Sequence, residues 1–508
     1  MKPANRVVVN TLVQYIQLIL NVIIGLYSVR VILNALGSDD YGIYDVVAGV
    51  IAVLSFIRSS LVQTSLRYLS VSIGSERIKT IRETFNNCFW LHLLISIFLI
   101  CFLEIVGFFL FDEFLNIPLG RINAAKVVYQ CMLVTLFLNI TISPFTALIT
   151  AHEKFYYYSF IGILDSLLKL AIAFAVAHTS FDRLIVYANL MVGVSIINSI
   201  LHITYLYSKY RREMWIGKPA WSEVKGITGF AGWTLLDVMG AIASRQGYAV
   251  MLNKFFGTTI NASFAISRQV EGHTYTISSS VINAIKPQIM KSYGAGDSRR
   301  MLRLALTAGK LGFSMMALFA VPLIVMMPDI LQIWLKDVPS GAVEFSQLLV
   351  AAAMIEQLTK GLVYAAQATG NIKWFSITVS VCRFIALPLS IVFLFLQMPV
   401  ITAFYIYFIC ESFGAFSRVL MMSKISEFRI ITFLKAVFFR MVPPFGIAYA
   451  ICWAMYHYFT HNIISLCTIA FITGIAYCIL IYIVGLDLEE KRTIISMINS
   501  LKNKIHYK

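Results

Sequence analysis

The stretch IGILDSLLKLAIAFAVA, residues 161–177, is long enough as an α-helix to approach the thickness of a hydrocarbon core of about 30 Å, and such apolar runs recur along the whole chain. Fourteen are distinguishable, at approximately 8–36, 41–73, 84–111, 123–150, 155–178, 183–208, 225–253, 258–293, 303–327, 342–369, 373–396, 400–423, 432–457 and 462–485. Their recurrence constrains the fold more than any motif. A backbone in lipid must satisfy its own N–H and C=O groups, and only helices and closed barrels do so. Barrel strands would read as segments of about ten residues alternating apolar and polar. These runs do not alternate, so helices are expected. Composition agrees, with 59% hydrophobic and only 13% charged residues, where an ordinary soluble domain carries about 25% charged. The expectation is an all-α polytopic membrane protein with about 14 transmembrane helices. No small-residue cleavage site follows the first run, so it is expected to remain in the protein.

The connections alternate in charge, and Lys and Arg near span ends favour the cytoplasmic side. One set holds ERIKTIRE (76–83), HEK (152–154), SKYRREMWIGK (208–218), Arg299, Arg300, Arg303, Lys373, Lys424, Arg429 and a tail with Lys491, Arg492, Lys502, Lys504 and Lys508. The other holds SDD, FDEFLNIPLGR, TSFDR, WLKDVPSG, QMP and HYFTHN, with far fewer cations. Both termini are therefore expected to be cytoplasmic. The formal net charge of +16 reads as a topology signal and not as a nucleic-acid patch, because no basic segment is set apart from the spans. The eight cysteines are scattered without a CxxC, the histidines never fall in HExxH spacing, and GxxxxGK[ST] does not occur. Neither a metal, a nucleotide nor any other cofactor is expected.

The chain repeats itself. LNALGSDDYGIYDVVAGV (33–50) resembles LNKFFGTTINASFAISRQV (252–270). A shift of 220 residues lays Gly37 on Gly257 and Gly74 on Gly294, and a shift of 219 lays Thr150 on Thr369 and Lys154 on Lys373. An ordered series at nearly constant offset indicates duplication. Spans 1–6 (1–218) and 7–12 (219–424) are read as two six-helix lobes, with spans 13 and 14 and a cytoplasmic tail at 425–508. An even number of spans per lobe inserts both the same way up, so a pseudo-two-fold axis along the membrane normal relates them.

Ionisable residues sit inside the apolar runs: Arg30, Asp45, Arg58, Asp165, Lys169, Asp237, Arg245, Arg268, Glu271, His273, Glu356, Lys360 and Arg383. Each would cost about 2.5 to 3.5 kcal/mol at the centre of a lipid-facing helix, and ten of them would exceed the roughly 5 to 15 kcal/mol that holds a typical fold together. They must face protein or water. Span 8, FAISRQVEGHTYTISSSVIN, is polar on nearly every side and is expected to touch a wet cavity, as is span 2 with Arg58, Ser59, Gln63 and Thr64. Asp165 with Lys169, and Glu356 with Lys360, are i,i+4 pairs that either neutralise each other or meet cargo. Asp45 and Arg30 lie near the outer interface, and Arg383, about two turns from the cytoplasmic end, is expected to snorkel. Arg58, Arg245 and Arg268 have no carboxylate at i±4 and are the stronger cavity candidates. Glu271 is one turn from Arg268, placed to orient it or to titrate. Tyr248 and Tyr275 either stack on rings of the cargo or simply pack. An arginine-lined cavity suits an anionic cargo, because the guanidinium fork binds phosphate oxygens bidentately.

Fourteen spans, two six-helix lobes and LGSDDYGIYDVV followed by a polar second helix together resemble the polysaccharide transporter branch of the multidrug/oligosaccharidyl-lipid/polysaccharide (MOP) exporter superfamily, in particular O-antigen and capsule repeat-unit flippases. The resemblance implies a V-shaped fold in the bacterial inner membrane. It also implies a cargo of undecaprenyl-pyrophosphate-linked oligosaccharide, moved from the inner to the outer leaflet. A polysaccharide polymerase or a chain-length regulator is the implied protein partner. Related lipid II flippases carry cavity arginines in spans 1, 2 and 8, and by span Arg30, Arg58 and Arg268 match them. Ion exchange through Glu271 or Asp237, the membrane potential and the lipid gradient all fit as the driving force. Two rivals stand. A cation-coupled multidrug exporter of the same superfamily would carry an acidic residue in span 1, where this chain has only Arg30. A membrane enzyme of polysaccharide assembly would show a long extracytoplasmic loop, and the outer loops here are short.

Overall fold

The apolar runs fold as helices because each can close its backbone hydrogen bonds within itself, and side chains of Asp182, Asp297 and Asn462 cap the helices that begin at Arg183, Ser298 and Ile463. The computed structural model of the chain describes residues 3–52, 54–111, 117–335, 337–459, 462–488 and 490–492, so the tail cations Lys502, Lys504 and Lys508 lie outside the described residues. Among the described residues there is no strand. In chain order the helices are α1 (Pro3–Ala52), α2 (Ser55–Gly74), α3 (Ile78–Phe109), α4 (Ile122–Thr141), α5 (Ser143–Ala151), α6 (Phe155–Ala177), α7 (Arg183–Tyr210), α8 (Trp221–Gly294), α9 (Ser298–Val325), α10 (Met327–Leu335), α11 (Ala342–Thr369), α12 (Lys373–Phe395), α13 (Ile401–Ile425), α14 (Ile430–Phe433), α15 (Phe439–Tyr458) and α16 (Ile463–Leu480). A π-turn, Leu434–Phe438, joins α14 to α15.

Twelve helices among the described residues are long and apolar enough to cross a membrane. The number is lower than fourteen for two physical reasons. The polar α2 falls short of the apolar threshold, and α8 is one run in which two spans are merged across a break at Gly257. That break has φ 78°, ψ −168°, and Gly37 inside α1 has φ 80°, ψ 169°. Side chains with a Cβ scarcely visit this region, so glycine is required at both. The two glycines that the repeat aligns thus adopt one backbone conformation. α2 and α8 also end at the aligned Gly74 and Gly294, α3 and α9 begin 220 residues apart at Ile78 and Ser298, and α6 and α12 each have 23 residues.

The described chain divides into two compact units, an N-unit of Asn10–Val238 and a C-unit of Met239–Lys508 with Met1–Val9. In the N-unit, Leu91, Leu99 and Leu103 of α3 pack with Val128 and Leu133 of α4, and the Tyr129 hydroxyl donates to the Leu103 carbonyl at 2.5 Å. The connector after α7 is fastened to the start of α3. Asn86 donates to the Lys218 carbonyl (3.0 Å) and accepts from the Gly217 N–H (2.8 Å), and Trp90 Nε1 donates to the Gly217 carbonyl (2.7 Å).

In the C-unit, α9 and α11 approach so closely that a Cβ on Gly361 would meet the Ala305 backbone, the small-residue contact typical of helices packed in lipid. Around Phe404, the side chains of Phe345, Phe264 and Tyr248 form a second core.

Charges in the connections meet their own kind of connection. In the N-unit, Arg121 bridges Asp40 and Asp182, all from the cation-poor set, and donates from Nη1 to Asp182 Oδ2 at 2.6 Å. His152 meets Glu213 at 2.7 Å, both from the cation-rich set. In the C-unit the pairs run from helix to connection: Lys310 of α9 meets Glu490 at 2.5 Å and Arg440 of α15 lies 3.7 Å from Asp487, both acids after α16. Burial alone would raise the Asp182 carboxyl, but the hydrogen bond from Arg121 and the N–H groups of Ile185 and Leu184, which it caps, hold it below its ordinary value. Asp487 is likewise held down, against burial, by the Glu490 N–H and by Lys310 and Arg440.

Candidate functional site

The densest polar cluster lies in the C-unit, where α8, α11, α12 and α13 converge. α8 supplies Arg245 before Gly257 and Arg268 with Glu271 after it. A straight helix would hold Arg245 and Glu271 about 39 Å apart at about 1.5 Å per residue. Instead Arg245 Nη2 lies 3.8 Å from Glu271 Oε1. Gly257 therefore folds the helix back on itself, which makes spans 7 and 8 a hairpin. Arg268 and Glu271, one turn apart on the returning arm, meet at 2.9 Å.

Behind this triad, Glu356 of α11 meets Lys360 at 2.8 Å, Arg383 of α12 at 3.2 Å and Arg418 of α13 at 3.9 Å. Glu411 of α13 meets Arg383 at 3.0 Å and Arg418 at 3.9 Å. Arg418, only 1% exposed, also donates from Nη1 to Thr359 Oγ1 at 3.1 Å. Five cations thus face three carboxylates within the cluster. A cavity of about 20 Å³, room for a water molecule, lies among Ser244, Arg245, Glu271, Arg383, Tyr407 and Glu411. Ser244 Oγ, Glu271 Oε2 and Glu411 Oε2 are buried without a hydrogen-bond partner. Paired and partly wet charge is the form in which ionisable groups persist inside a membrane domain. Among the described residues, no group of three or more His, Cys, Asp and Glu side chains is placed to hold a metal ion.

Of the residues singled out from sequence, Arg245, Arg268, Glu271, Glu356 and Lys360 come together here, with Tyr275 beside them, its ring 5.9 Å from Lys360 Nζ. His273 is exposed. Arg383 corrects its expectation: its side chain is 10% exposed and bridges two carboxylates instead of snorkelling, because Glu356 and Glu411 on neighbouring helices offer it partners. Tyr248 is core, 2% exposed, with its hydroxyl 2.7 Å from Ser390 Oγ, so no ring face remains for a sugar. Glu411 and Arg418 were not singled out, although the same signal marks them, ionisable residues seven apart on one helix inside an apolar run.

The N-unit holds the other candidates. Asp165 pairs with Lys169 at 2.7 Å and accepts from Asn198 Nδ2 at 2.7 Å. Arg30, Asp45 and Arg58 are exposed within the unit, and Asp237 is half-buried.

No family model matches the sequence, and no curated protein matches it. Solved structures do. A MATE structure in the bent conformation aligns with a TM-score of 0.73 at 12% identity, covering 84% of this chain and 97% of that one. A multidrug resistance MATE family transporter of the MOP superfamily, in an outward-facing conformation, aligns at 0.63 and 11% identity, covering 84% and 97%. The fold is MATE-like. A third structure, from Pyrococcus furiosus, aligns at 0.63 and 12% identity, covering 86% and 97%, and is described as a MOP superfamily transporter whose binding pocket of reverse polarity suggests a different function.

Proposed function

We propose that the chain is a transporter that moves undecaprenyl-pyrophosphate-linked oligosaccharide, an O-antigen, capsule or exopolysaccharide repeat unit, across the bacterial inner membrane. The observation that carries this reading is the cation excess of the C-unit cluster, with Arg245 half exposed at its rim and Arg268 beside it. Two guanidinium forks suit the oxygens of a diphosphate. Span 1, residues 8–36, holds Arg30 and no carboxylate, a poor match to a site for cationic drugs. Arg58 is the N-lobe candidate for the same head group. Alternating access between lobes at 1–218 and 219–424, both termini cytoplasmic, completes the scheme. Similar folds whose pockets differ in polarity, as described for the Pyrococcus furiosus transporter, fit a superfamily in which cargo follows pocket charge.

The second reading, a cation-coupled multidrug exporter, is favoured by the fold likeness to a multidrug resistance MATE transporter. Deleting the gene separates the two. Loss of surface glycan with unchanged drug sensitivity supports the flippase, and the reverse pattern supports the exporter. Arg58→Glu and Arg268→Glu should each abolish glycan export while the protein still inserts. Normal export in both variants defeats the diphosphate assignment.

A further inference from the structure

We infer that Glu271 is an internal counter-anion that competes with the anionic head group of the cargo for Arg245 and Arg268, and so weakens binding enough for release. The inference rests on the anionic-cargo reading above.

Three carboxylates share the cluster, and two are committed elsewhere. Glu356 is held by Lys360 and Arg383 at 2.8 and 3.2 Å, and Glu411 by Arg383 at 3.0 Å, with Arg418 behind both. Among the described residues, the carboxylate within 4 Å of Arg245 is that of Glu271. The contact is loose. At 3.8 Å it is longer than a hydrogen bond, and the Arg245 side chain is 46% exposed while that of Glu271 is 6% exposed. Glu271 Oε2, although 2.9 Å from Arg268 Nη1, lacks a hydrogen bond of good geometry. A bidentate pair would lock the arginines. This arrangement only screens them.

Before cargo binds, the arginines need such a screen, because two guanidinium groups without an anion between them repel and would splay apart. An arriving diphosphate supplies stronger acceptor oxygens at the exposed face of Arg245, and the cavity of about 20 Å³ is too small to take the head group any deeper. Glu271 stays nearby throughout and opposes the second negative charge. A unit charge some 6 Å away at an effective dielectric near 20 is worth more than a factor of about ten in affinity.

The test uses the full-length chain in nanodiscs, with geranylgeranyl pyrophosphate as probe and geranylgeraniol as the uncharged control. Glu271→Gln should tighten diphosphate binding about tenfold or more, leave alcohol binding unchanged, and slow glycan export in cells. Glu271→Asp, which draws the carboxylate back from Arg245, should tighten it to a lesser degree and serves if the glutamine variant fails to fold. Weaker or unchanged diphosphate binding in the Glu271 variants overturns the inference, since Glu271 would then only position the arginines or stand aside. If Arg245→Gln and Arg268→Gln also leave diphosphate binding as tight as in wild type, the anionic-cargo reading itself falls.

Discussion

The two units handle charge in opposite ways. In the N-unit, intramembrane charges are settled locally, as in the Asp165–Lys169 pair along one helix, or stand exposed, as Arg30 and Arg58 do. In the C-unit, charges from four helices converge on one network in which Arg383 serves two carboxylates and Arg418 is sealed from solvent. Each unit holds a helix broken at a glycine of the same backbone conformation, Gly37 in one and Gly257 in the other. A shared backbone therefore does not imply a shared site. The scaffold sets where helices turn, and the side chains installed on it decide which lobe carries a charged centre.

The sharpest way to break this contrast is to remove a shared partner in the C-unit. Arg383→Ala leaves Glu356 and Glu411 short of a cation, and loss of one partner of a buried pair typically costs about 3–5 kcal/mol. A large drop in the thermal midpoint of the purified protein is expected, partly restored in the double variant Arg383→Leu, Glu411→Leu. The common scaffold is tested next. Gly257→Ala and Gly37→Ala each force a Cβ into the same disfavoured conformation, with open space around both positions, so each should cost about 1–3 kcal/mol by backbone strain alone. Unequal losses would show that the two breaks are not equivalent.

A pH series then probes the N-unit connections. Because the folded-state carboxyl of Asp182 lies below its ordinary value, its contribution is present above the ordinary carboxylate range and disappears as pH falls through the lowered value. Asp182→Asn, which keeps a cap for α7 but not the charge, should be less stable than wild type near neutral pH and should converge with it in acid. A gap independent of pH would assign the effect to the cap. The smallest effect belongs to Lys169→Ala. Its side chain is 44% exposed, and such pairs contribute about 0–1 kcal/mol, so thermal melting should barely move.

Much of the fold was legible because membrane helices announce themselves through length and apolarity. The repeat was legible through glycines, which survive as signals since no other residue tolerates the backbone they provide. The site was legible only in part. Arg268 with Glu271 and Glu356 with Lys360 are neighbours one turn apart, so helical geometry alone brings them together. Arg383 could not be placed from its position in the run, because its fate depended on Glu356 and Glu411, 27 and 28 residues away on other helices. Arg418 and Glu411 carry the same mark as the other intramembrane charges, but their partners Glu356, Thr359 and Arg383 lie on other helices.

By itself, then, the sequence determined that the chain is a bundle of membrane-spanning helices, that Gly37 and Gly257 stand in matching stretches 220 residues apart, and that its ionisable residues could not all face lipid. Those conclusions follow from desolvation and from one-turn geometry, which act within a single helix. Only the tertiary structure decided that Gly257 turns α8 back so that Arg245 reaches Glu271, and that three further helices bring their charges to the same place. Pairing across helices is fixed by packing, and residues far apart in the chain leave no local trace of the partner that packing will bring them.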